Sequence, residues 1–526
     1  MDQRFRSRRT FLKTLGLGAI AISCGKRIND TESQIRPNVI LFYVDDLSPF
    51  QLGCYGGTSL TPRIDCAASE GIRFTRYYHS CSVCTPSRFS TLTGQYASRS
   101  LSLQENYPPG GPVRISWNTN LREEEFTIAE VLKRENYITG MVGKWHLGGD
   151  FAADIVPSDT LEPDSESARK LYKAYDELCS HIRKVGGFDF ADGIYARNVQ
   201  GMRLPESFKI HNQEWQTKNA LDFIEQNQDK PFFLYWATTI PHSPNPVASI
   251  QADPRIVPWG YLDRAPDVQP SRSSVIKRAH EAGLIEIGDD GNIKEKVSYS
   301  LGMLWLDGAF GAMLDKLDEL GIAENTLIIL ASDNGRTGKN SCYDAGTRIP
   351  CIVYWKGVVP GGRVLDELIS NVDIGATIFN ACGVTPPREM KLDGASFLSL
   401  LKNSQVEGRK SVFLEIGCTR AVVAGDWKYL AIRYPEDVMT EITETNRKEI
   451  SHDGTRDVDH RYRAHEQYPA YFDYDQLYNL KEDPGEQRNL AHVEKYNGKL
   501  QEMKALLTEY SNDLPHSFGE FSPDAY

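Results

Sequence analysis

The sequence predicts an α/β protein with one large, mostly parallel sheet covered by helices, followed by a smaller antiparallel sheet carrying a single helix. Three observations predict it. Short apolar runs alternate with amphipathic stretches over residues 35–404. The clearest of these runs shows no inside–outside alternation, as expected of a strand buried on both faces. After about residue 405 the texture changes to strand-like segments joined by a tight turn.

Val39-Ile40-Leu41-Phe42-Tyr43-Val44 is the first strand. Thr127-Ile128-Ala129-Glu130 reads as a capping box opening a helix that shows Ile128, Val131 and Leu132 on one face. Tyr137 to Val142 is a second strand and Phe232 to Ala237 a third. Leu301 to Leu320 is a helix stopped near Gly321, and Thr326 to Leu330 is the fourth strand. The stretches 150–215 and 243–298 are polar and irregular, and read as insertions around a pocket. Beyond residue 405, Ser411–Glu415 and Arg420–Leu430 read as strands turning at Gly425-Asp426, Pro435–Glu466 as a loop, and Val493–Tyr510 as an amphipathic helix.

With 526 residues the chain exceeds one ordinary core, although open α/β domains often grow past the usual size. A 40% hydrophobic and 25% charged composition is that of a globular protein. The net charge of −12, with no basic run outside the leader, gives no support to nucleic-acid binding. An anionic ligand must therefore be held by a local cluster of cations.

The leader has its own logic. Ser7-Arg8-Arg9-Thr10-Phe11-Leu12-Lys13 before the apolar stretch Leu15–Ile22 reads as a twin-arginine export signal, so residues 1–34 are assigned to a signal peptide and short linker. The apolar run is too short to span a bilayer. The expected location is periplasmic or extracellular-facing, with the twin-arginine export machinery as a partner. Cys24 is a candidate lipid anchor on a poor lipobox, because Ala21 stands where a large aliphatic residue is usual. Setting aside Cys24 and Cys84, the other cysteines are scattered, show no zinc spacing and read mostly as buried thiols.

Each of the four strands is followed at once by polar residues able to do chemistry: Asp45-Asp46, Lys144-Trp145-His146, His242 and Asp333-Asn334. Ligands of open α/β sheets bind outside the carboxyl ends of the strands, so these residues converge in space. Asp45, Asp46, Asp333 and Asn334 are hard oxygen donors, suited to calcium or magnesium and poor for zinc. Neighbours on a strand face opposite ways, so Asp45 and Asp46 meet one ion only where the strand has broken into a loop, which Asp46-Leu47-Ser48-Pro49 permits. Lys144 and His146, two apart, share a side if the chain stays extended, with Trp145 turned into the packing. Pro86 and Gly94 fit the first turn and the end of a short helix, Ser87–Thr93, whose N-terminus suits an anion.

Cys84-Thr85-Pro86-Ser87-Arg88 matches Cys-x-Pro-x-Arg. With Gly143-Lys144-Trp145-His146-Leu147-Gly148, Pro241-His242-Ser243-Pro244 and Asp333-Asn334…Lys339 in the same order, the chain resembles the type I, formylglycine-dependent sulfatases of the alkaline phosphatase-like superfamily. Leu477-Tyr478-Asn479-Leu480 with Asp483-Pro484-Gly485-Glu486 extends the resemblance to the C-terminal part. It implies a catalytic domain over 35–404 and a C-terminal subdomain over 405–526.

The resemblance also implies roles. Cys84 would be oxidised by a formylglycine-generating maturation enzyme to an aldehyde. One hydroxyl of its hydrate attacks sulfur, and loss of the other's proton expels sulfate. Arg88 would orient that hydrate, Lys144 would face hydrate and sulfate, and His146 would accept a proton from the diol. His242 would contact the ester oxygen, and Lys339 would neutralise the sulfate and the leaving oxygen. Asp45, Asp46, Asp333 and Asn334, with modified Cys84, would bind Ca²⁺. Asp344 and Ala345 depart from the Glu-Gly usual before the Arg-x-Pro element, which leaves open the local turn and any acid–Arg pairing.

The expected function is hydrolysis of sulfate monoesters, with a sulfated carbohydrate or polysaccharide as substrate. A phosphonate or phosphate-ester hydrolase of the same superfamily is the nearest alternative; its formylglycine members tend to have a histidine ligand, which the Asp45-Asp46/Asp333-Asn334 set does not supply. A carbohydrate-binding protein on an inactive frame is the other alternative, and every catalytic position being occupied argues against it.

Overall fold

In a computed structural model, which describes residues 36–149, 165–403, 406–434, 440, 451–452 and 464–518, the first apolar run forms strand β1 (Asn38–Val44). Its side chains divide between two cores. Val39, Leu41 and Tyr43 join one face, and Ile40, Phe42 and Val44 the other, so a run without alternation is what this position requires. The leader, including Arg8, Arg9 and Cys24, lies outside the described residues, as does most of the predicted loop Pro435–Glu466.

The other strands of the large sheet are β2 (Ile72–Phe74), β3 (Ile138–Lys144), β4 (Phe190–Tyr195), β5 (Phe232–Ala237), β6 (Thr326–Ser332), β7 (Cys351–Tyr354) and β8 (Arg363–Leu365). Their order across the sheet is β8-β2-β7-β6-β1-β5-β3-β4, and only β7 runs antiparallel to its neighbours. Tyr43 pairs with Ala331 on one side and Ala237 on the other, and Ala237 with Gly143. Four strands therefore end level, and the residues after them meet at one edge.

Helices Cys84–Thr93, Ile128–Arg134, Glu166–Gly186 and Asp373–Cys382 cover one face. Pro62–Glu70, Gln213–Gln226 and Ser300–Glu319 cover the other. Thr127 caps its helix as expected, its hydroxyl accepting from the Glu130 N–H at 3.1 Å. The stretch 150–215 is not the irregular insertion that was expected. It holds the helix Glu166–Gly186 and the edge strand β4, and Leu171, Leu178, Ile182 and Val185 bury one face of that helix. The stretch 243–298 also carries helices, Pro246–Gln251 and Arg272–Glu281.

The smaller sheet is antiparallel, with β9 (Ser411–Ile416), β10 (Thr419–Ala424), β11 (Trp427–Ile432) and β12 (Asp475–Asn479) in sequence order. Gly425, with φ 55°, makes the turn between β10 and β11. Phe413, Val422 and Tyr429 pack against Leu500, Met503 and Leu507 of the helix Asn497–Asn512. Val412, Leu414 and Val423, on the opposite face, pack against Tyr78, Val83, Cys342 and Tyr343. The second sheet thus braces the two segments that carry Cys84 and Lys339. Among the described residues no helix is long and apolar enough to cross a membrane.

Candidate active site

Asp45 follows β1 directly, and the chain breaks there as Ser48-Pro49 suggested. Asp46 adopts a φ of 61°, its N–H donates to Asp333 Oδ1 at 3.1 Å, and the Leu47 N–H donates to Ser332 Oγ at 3.0 Å. Both aspartates are nearly inaccessible, and a cation meets each. Lys144 Nζ donates to Asp45 Oδ2 at 2.6 Å, and Lys339 Nζ lies 2.5 Å from Asp46 Oδ1. Arg88, fully buried, donates Nε and one terminal nitrogen to Asp333 Oδ2 at 3.1 and 2.8 Å. Its other terminal nitrogen donates to the Lys144 carbonyl at 2.8 Å. Asp45, Asp46 and Asp333 thus each have a cation of their own, as buried charges require. Burial alone would raise the Asp45 carboxyl, but Lys144, His242 and Arg88 outweigh it and hold it well below the usual carboxylate range. Lys339 and His242 lower the Asp46 carboxyl against the same effect of burial.

The β3–β4 register shifts between Val142 and Lys144, immediately before the residue that meets Asp45. Gly143 is obligatory there: its φ is 99°, and a Cβ would lie 1.8 Å from the Ala237 carbonyl oxygen.

Cys84 is the first residue of its helix, which starts three residues before the expected Ser87 and ends at Gly94 with φ 69°. Its Sγ donates to Asp45 Oδ1 at 3.4 Å, and Lys339 Nζ donates to Sγ at 3.8 Å. Burial pushes this thiol well up, so an unmodified Cys84 stays protonated.

His242 stands with Nε2 3.7 Å from Asp46 Oδ2, while Nδ1 is 2.9 Å from the Ser243 carbonyl. A carbonyl only accepts, so Nδ1 carries the proton, and Nε2 offers a lone pair unless the ring is charged. Burial pulls its pKa down, against the pull of Asp46 and Asp45. Asp45, Asp46, Cys84 and His242 place ligand atoms all within 4.8 Å of one another. The expectation that the metal-binding set is free of histidine therefore needs qualifying. Asp333 is outside that group, committed to Arg88. Asn334 donates to Asp46 Oδ1 at 2.7 Å, and its own Oδ1 is buried with no hydrogen-bond partner. An orphaned amide oxygen beside three carboxylates suits a hard cation.

His146 departs from expectation. The stretch Lys144–His146 is not extended: His146 has φ 58°, and Trp145 fills the core. His146 lines a cavity of about 160 Å³ with Thr85, Trp117, Asn120 and Arg197. No hydrogen bond joins its ring to the cluster around Cys84 among the described residues. Burial, then the charges of Lys144 and Arg88, lowers its pKa well below the ordinary value.

The open question at Asp344 has a structural answer. Arg348 lies 3.6 Å from Asp344 Oδ2, and Lys428 Nζ donates to Oδ1 at 2.9 Å. The Asp344 N–H donates to Glu486 Oε2 at 2.7 Å. The acid–Arg pairing survives with a shorter acid, completed by the glutamate of the Asp-Pro-x-Glu element.

Two supporting histidines gave no signal in the sequence. His79 bonds Ser87 through Nδ1 and Tyr77 through Nε2 (2.8 Å), and Ser87 donates to the Asp333 carbonyl. Burial drops its pKa to about 3, so it stays neutral. His211 donates from Nε2 to the Pro244 carbonyl (3.0 Å) and accepts from Thr239 Oγ1 (2.8 Å), tying down the loop that carries His242.

A buried cluster of carboxylates and cations at the carboxyl ends of a mostly parallel sheet forms a site suited to a hard cation and an anionic ligand. The family model for sulfatases matches residues 37–384, and the chain belongs to that family: it is a sulfuric ester hydrolase. Arylsulfatase A of Homo sapiens is 29% identical over 490 residues, covering 86% of this chain and 83% of that one. The N-acetylgalactosamine-6-O-sulfatase of Bacteroides thetaiotaomicron is 28% identical over 552 residues, covering 90% and 93%. A solved sulfatase from work on glycosaminoglycan metabolism by Bacteroides thetaiotaomicron superposes with a TM-score of 0.59 at 24% identity, covering 90% of this chain and 99% of that one.

Proposed function

We propose that this sulfatase removes sulfate from a carbohydrate, using an oxidised Cys84 and a calcium ion. The observation that carries the reading is Cys84 itself, at a helix N-terminus between Asp45 and Lys339, with Arg88 one turn on. As a thiol it is buried and protonated; as formylglycine it would supply a hydroxyl nucleophile, the form with which sulfatases generally work. Asp45, Asp46 and Asn334 fit calcium, with Asp333 held beside them by Arg88 and able to join once that pairing shifts; the ion would supply positive charge at a sulfate oxygen.

The chain's own residues divide the rest. Lys144 and Lys339, now on Asp45 and Asp46, are the cations nearest Cys84 able to meet a sulfate. Arg88 fixes Asp333 and the end of β3. His146 is the proton acceptor on the nucleophile side, and His242 faces the leaving oxygen. The sugar part of the reading is supported by the relatives, among them the N-acetylgalactosamine-6-O-sulfatase and a solved protein bound to its substrate D-glucosamine 2-N,6-O-disulfate. Export through Arg8-Arg9 to the periplasm or cell exterior, and oxidation by a formylglycine-generating enzyme, complete the proposal.

The test is peptide mass spectrometry of Cys84 in active protein, paired with turnover of aryl sulfate and aryl phosphate. The expected result is an aldehyde at Cys84, sulfate preferred over phosphate, and no turnover by Cys84→Ala. Full activity with an unmodified thiol, or after exhaustive calcium chelation, would refute the assignment.

A further inference from the structure

We propose that Lys428 and Glu486, from the second sheet and the segment after it, are positioning residues for Lys339: through Asp344 they set the turn against which the Lys339 loop is built. The proposal rests on the role given to Lys339 above and adds to the site two residues of the C-terminal part.

Lys428 lies in β11 with its side chain wholly buried. A methionine there would fill much the same space with no charge to desolvate, and replacing a buried ion pair by apolar groups is often neutral or stabilising. Stability alone therefore does not call for the charge. Its ammonium meets two acids: Nζ donates to Asp344 Oδ1 at 2.9 Å and lies 2.8 Å from Glu486 Oε1. Burial would lower the Lys428 pKa, but Asp344 and Glu486 outweigh it, so the ammonium stays charged. Glu486 Oε2 accepts the Asp344 N–H at 2.7 Å. The Glu486 backbone is held at φ 54°, a left-handed conformation that residues other than glycine adopt at a cost. Asp344 Oδ2 accepts from the Tyr78 hydroxyl at 3.0 Å, with Arg348 at 3.6 Å. Asp344 is thus fixed at both side-chain oxygens and at its N–H.

Asp344 opens the short helix Asp344–Thr347, which is in backbone contact with the loop before it. The Gly335 N–H donates to the Gly346 carbonyl at 3.0 Å. A Cβ on Gly335 would lie 2.0 Å from the Ala345 carbonyl oxygen, and one on Gly346 would lie 2.2 Å from the Gly338 carbonyl oxygen. With no side chain between them, a shift of the helix carries the loop 335–338 with it. Asn334 stands at one end of that loop and Lys339 at the other. Lys339 Nζ is 2.5 Å from Asp46 Oδ1 and donates to Cys84 Sγ at 3.8 Å. Ser341 closes the far side: its hydroxyl donates to the Gly338 carbonyl at 2.7 Å, and its N–H donates to Ser82 Oγ at 3.1 Å, two residues before Cys84. The loop therefore has one anchor on the Cys84 segment and one on Asp344, and Lys428 and Glu486 hold the second. Loosening that anchor moves the Lys339 ammonium relative to Cys84, and a misplacement of about 1 Å at a reacting centre costs up to about a hundredfold in rate.

The experiment measures kcat/KM on an activated aryl sulfate, with thermal midpoints alongside, in the natural background and in Lys339→Ala. Lys428→Met with Glu486→Gln removes one charge of each sign and keeps side-chain volume. Glu486→Gln alone is the milder variant, and it decides the matter should the pair fail to fold. In the natural background the pair should lower kcat/KM about tenfold or more and Glu486→Gln about threefold, both chiefly through kcat. In Lys339→Ala, itself reduced about a hundredfold, neither should cost more than about twofold, because the group they place is gone. A merely structural role would lower the midpoint and give the same fold-loss in both backgrounds. That outcome, or full kcat/KM in the folded variant, would overturn the proposal and leave the sulfatase reading standing. Full turnover by Lys339→Ala would overturn the proposal together with the role given to Lys339.

Discussion

The residues that meet Cys84 differ from those around the neighbouring cavity in origin and in burial. Asp45 and Asp333 follow parallel strands and Lys144 ends one; all three are buried, and each has an oppositely charged partner within 3 Å. Trp117, Asn120, His146 and Arg197 sit on loop or post-strand segments and are only half-buried. The difference separates two tasks. Sulfate is the same on every substrate, so its floor is fixed by sheet register and paired charges. On the proposed function the group that carries sulfate varies, and the neighbouring segments, whose backbone the sheet does not dictate, are where such variation would be met.

The comparison makes its largest prediction at Arg88. Removing it in Arg88→Ala strands Asp333 in a buried site, where breaking a paired charge costs about 3–5 kcal/mol. A large fall in thermal midpoint together with lost aryl sulfate turnover is expected, and a fall in turnover alone would show that the floor does not depend on this pairing.

The two histidines stand on either side of the divide and come next. His242→Ala should lower kcat/KM on a sugar sulfate far more than on an activated aryl sulfate, since a good leaving group needs little protonation. His146→Ala should lower both by similar factors, because activating the nucleophile is common to both. Equal losses for His242→Ala on the two substrates would make it a group that holds sulfate or metal through the Nε2 lone pair.

The smallest effect belongs to the cavity. Asn120→Ala should raise KM for a sugar sulfate about threefold, leaving kcat and the thermal midpoint in place, as expected for one neutral hydrogen bond of about 0.5–1.5 kcal/mol. A destabilised Asn120→Ala protein would mean that the cavity is built into the fold as tightly as the floor.

The same division governs what the sequence reveals. β1, β5 and β6 are legible because a strand buried on both faces must be apolar at every position, and a polar pair at its end then stands out. The turn at Asp46 is legible from Ser48-Pro49. The helix Glu166–Gly186 and β4 are hidden by composition: the helix exposes a heavily charged face, and its apolar residues at helical spacing are diluted by lysines and glutamates. With β4 unread, nothing marks Arg197 as a residue at a strand's carboxyl end. His79 and His211 are invisible for another reason. Each is satisfied by hydroxyl and carbonyl partners at irregular sequence distances, a pattern with no period. The second sheet is read correctly as strands, but its bracing of Val83 and Tyr343 is a packing fact that no local pattern encodes.

Every residue of the helix Cys84–Thr93 is buried, and Cys84 is wholly inaccessible. A formylglycine-generating enzyme of the kind proposed needs access to Cys84, and the packed helix offers none. Chemistry at Cys84 therefore has a deadline. On the proposed function it falls between synthesis of residue 88 and the packing of this helix into the core of the large sheet. A chain that folds unmodified keeps Cys84 as a buried, protonated thiol.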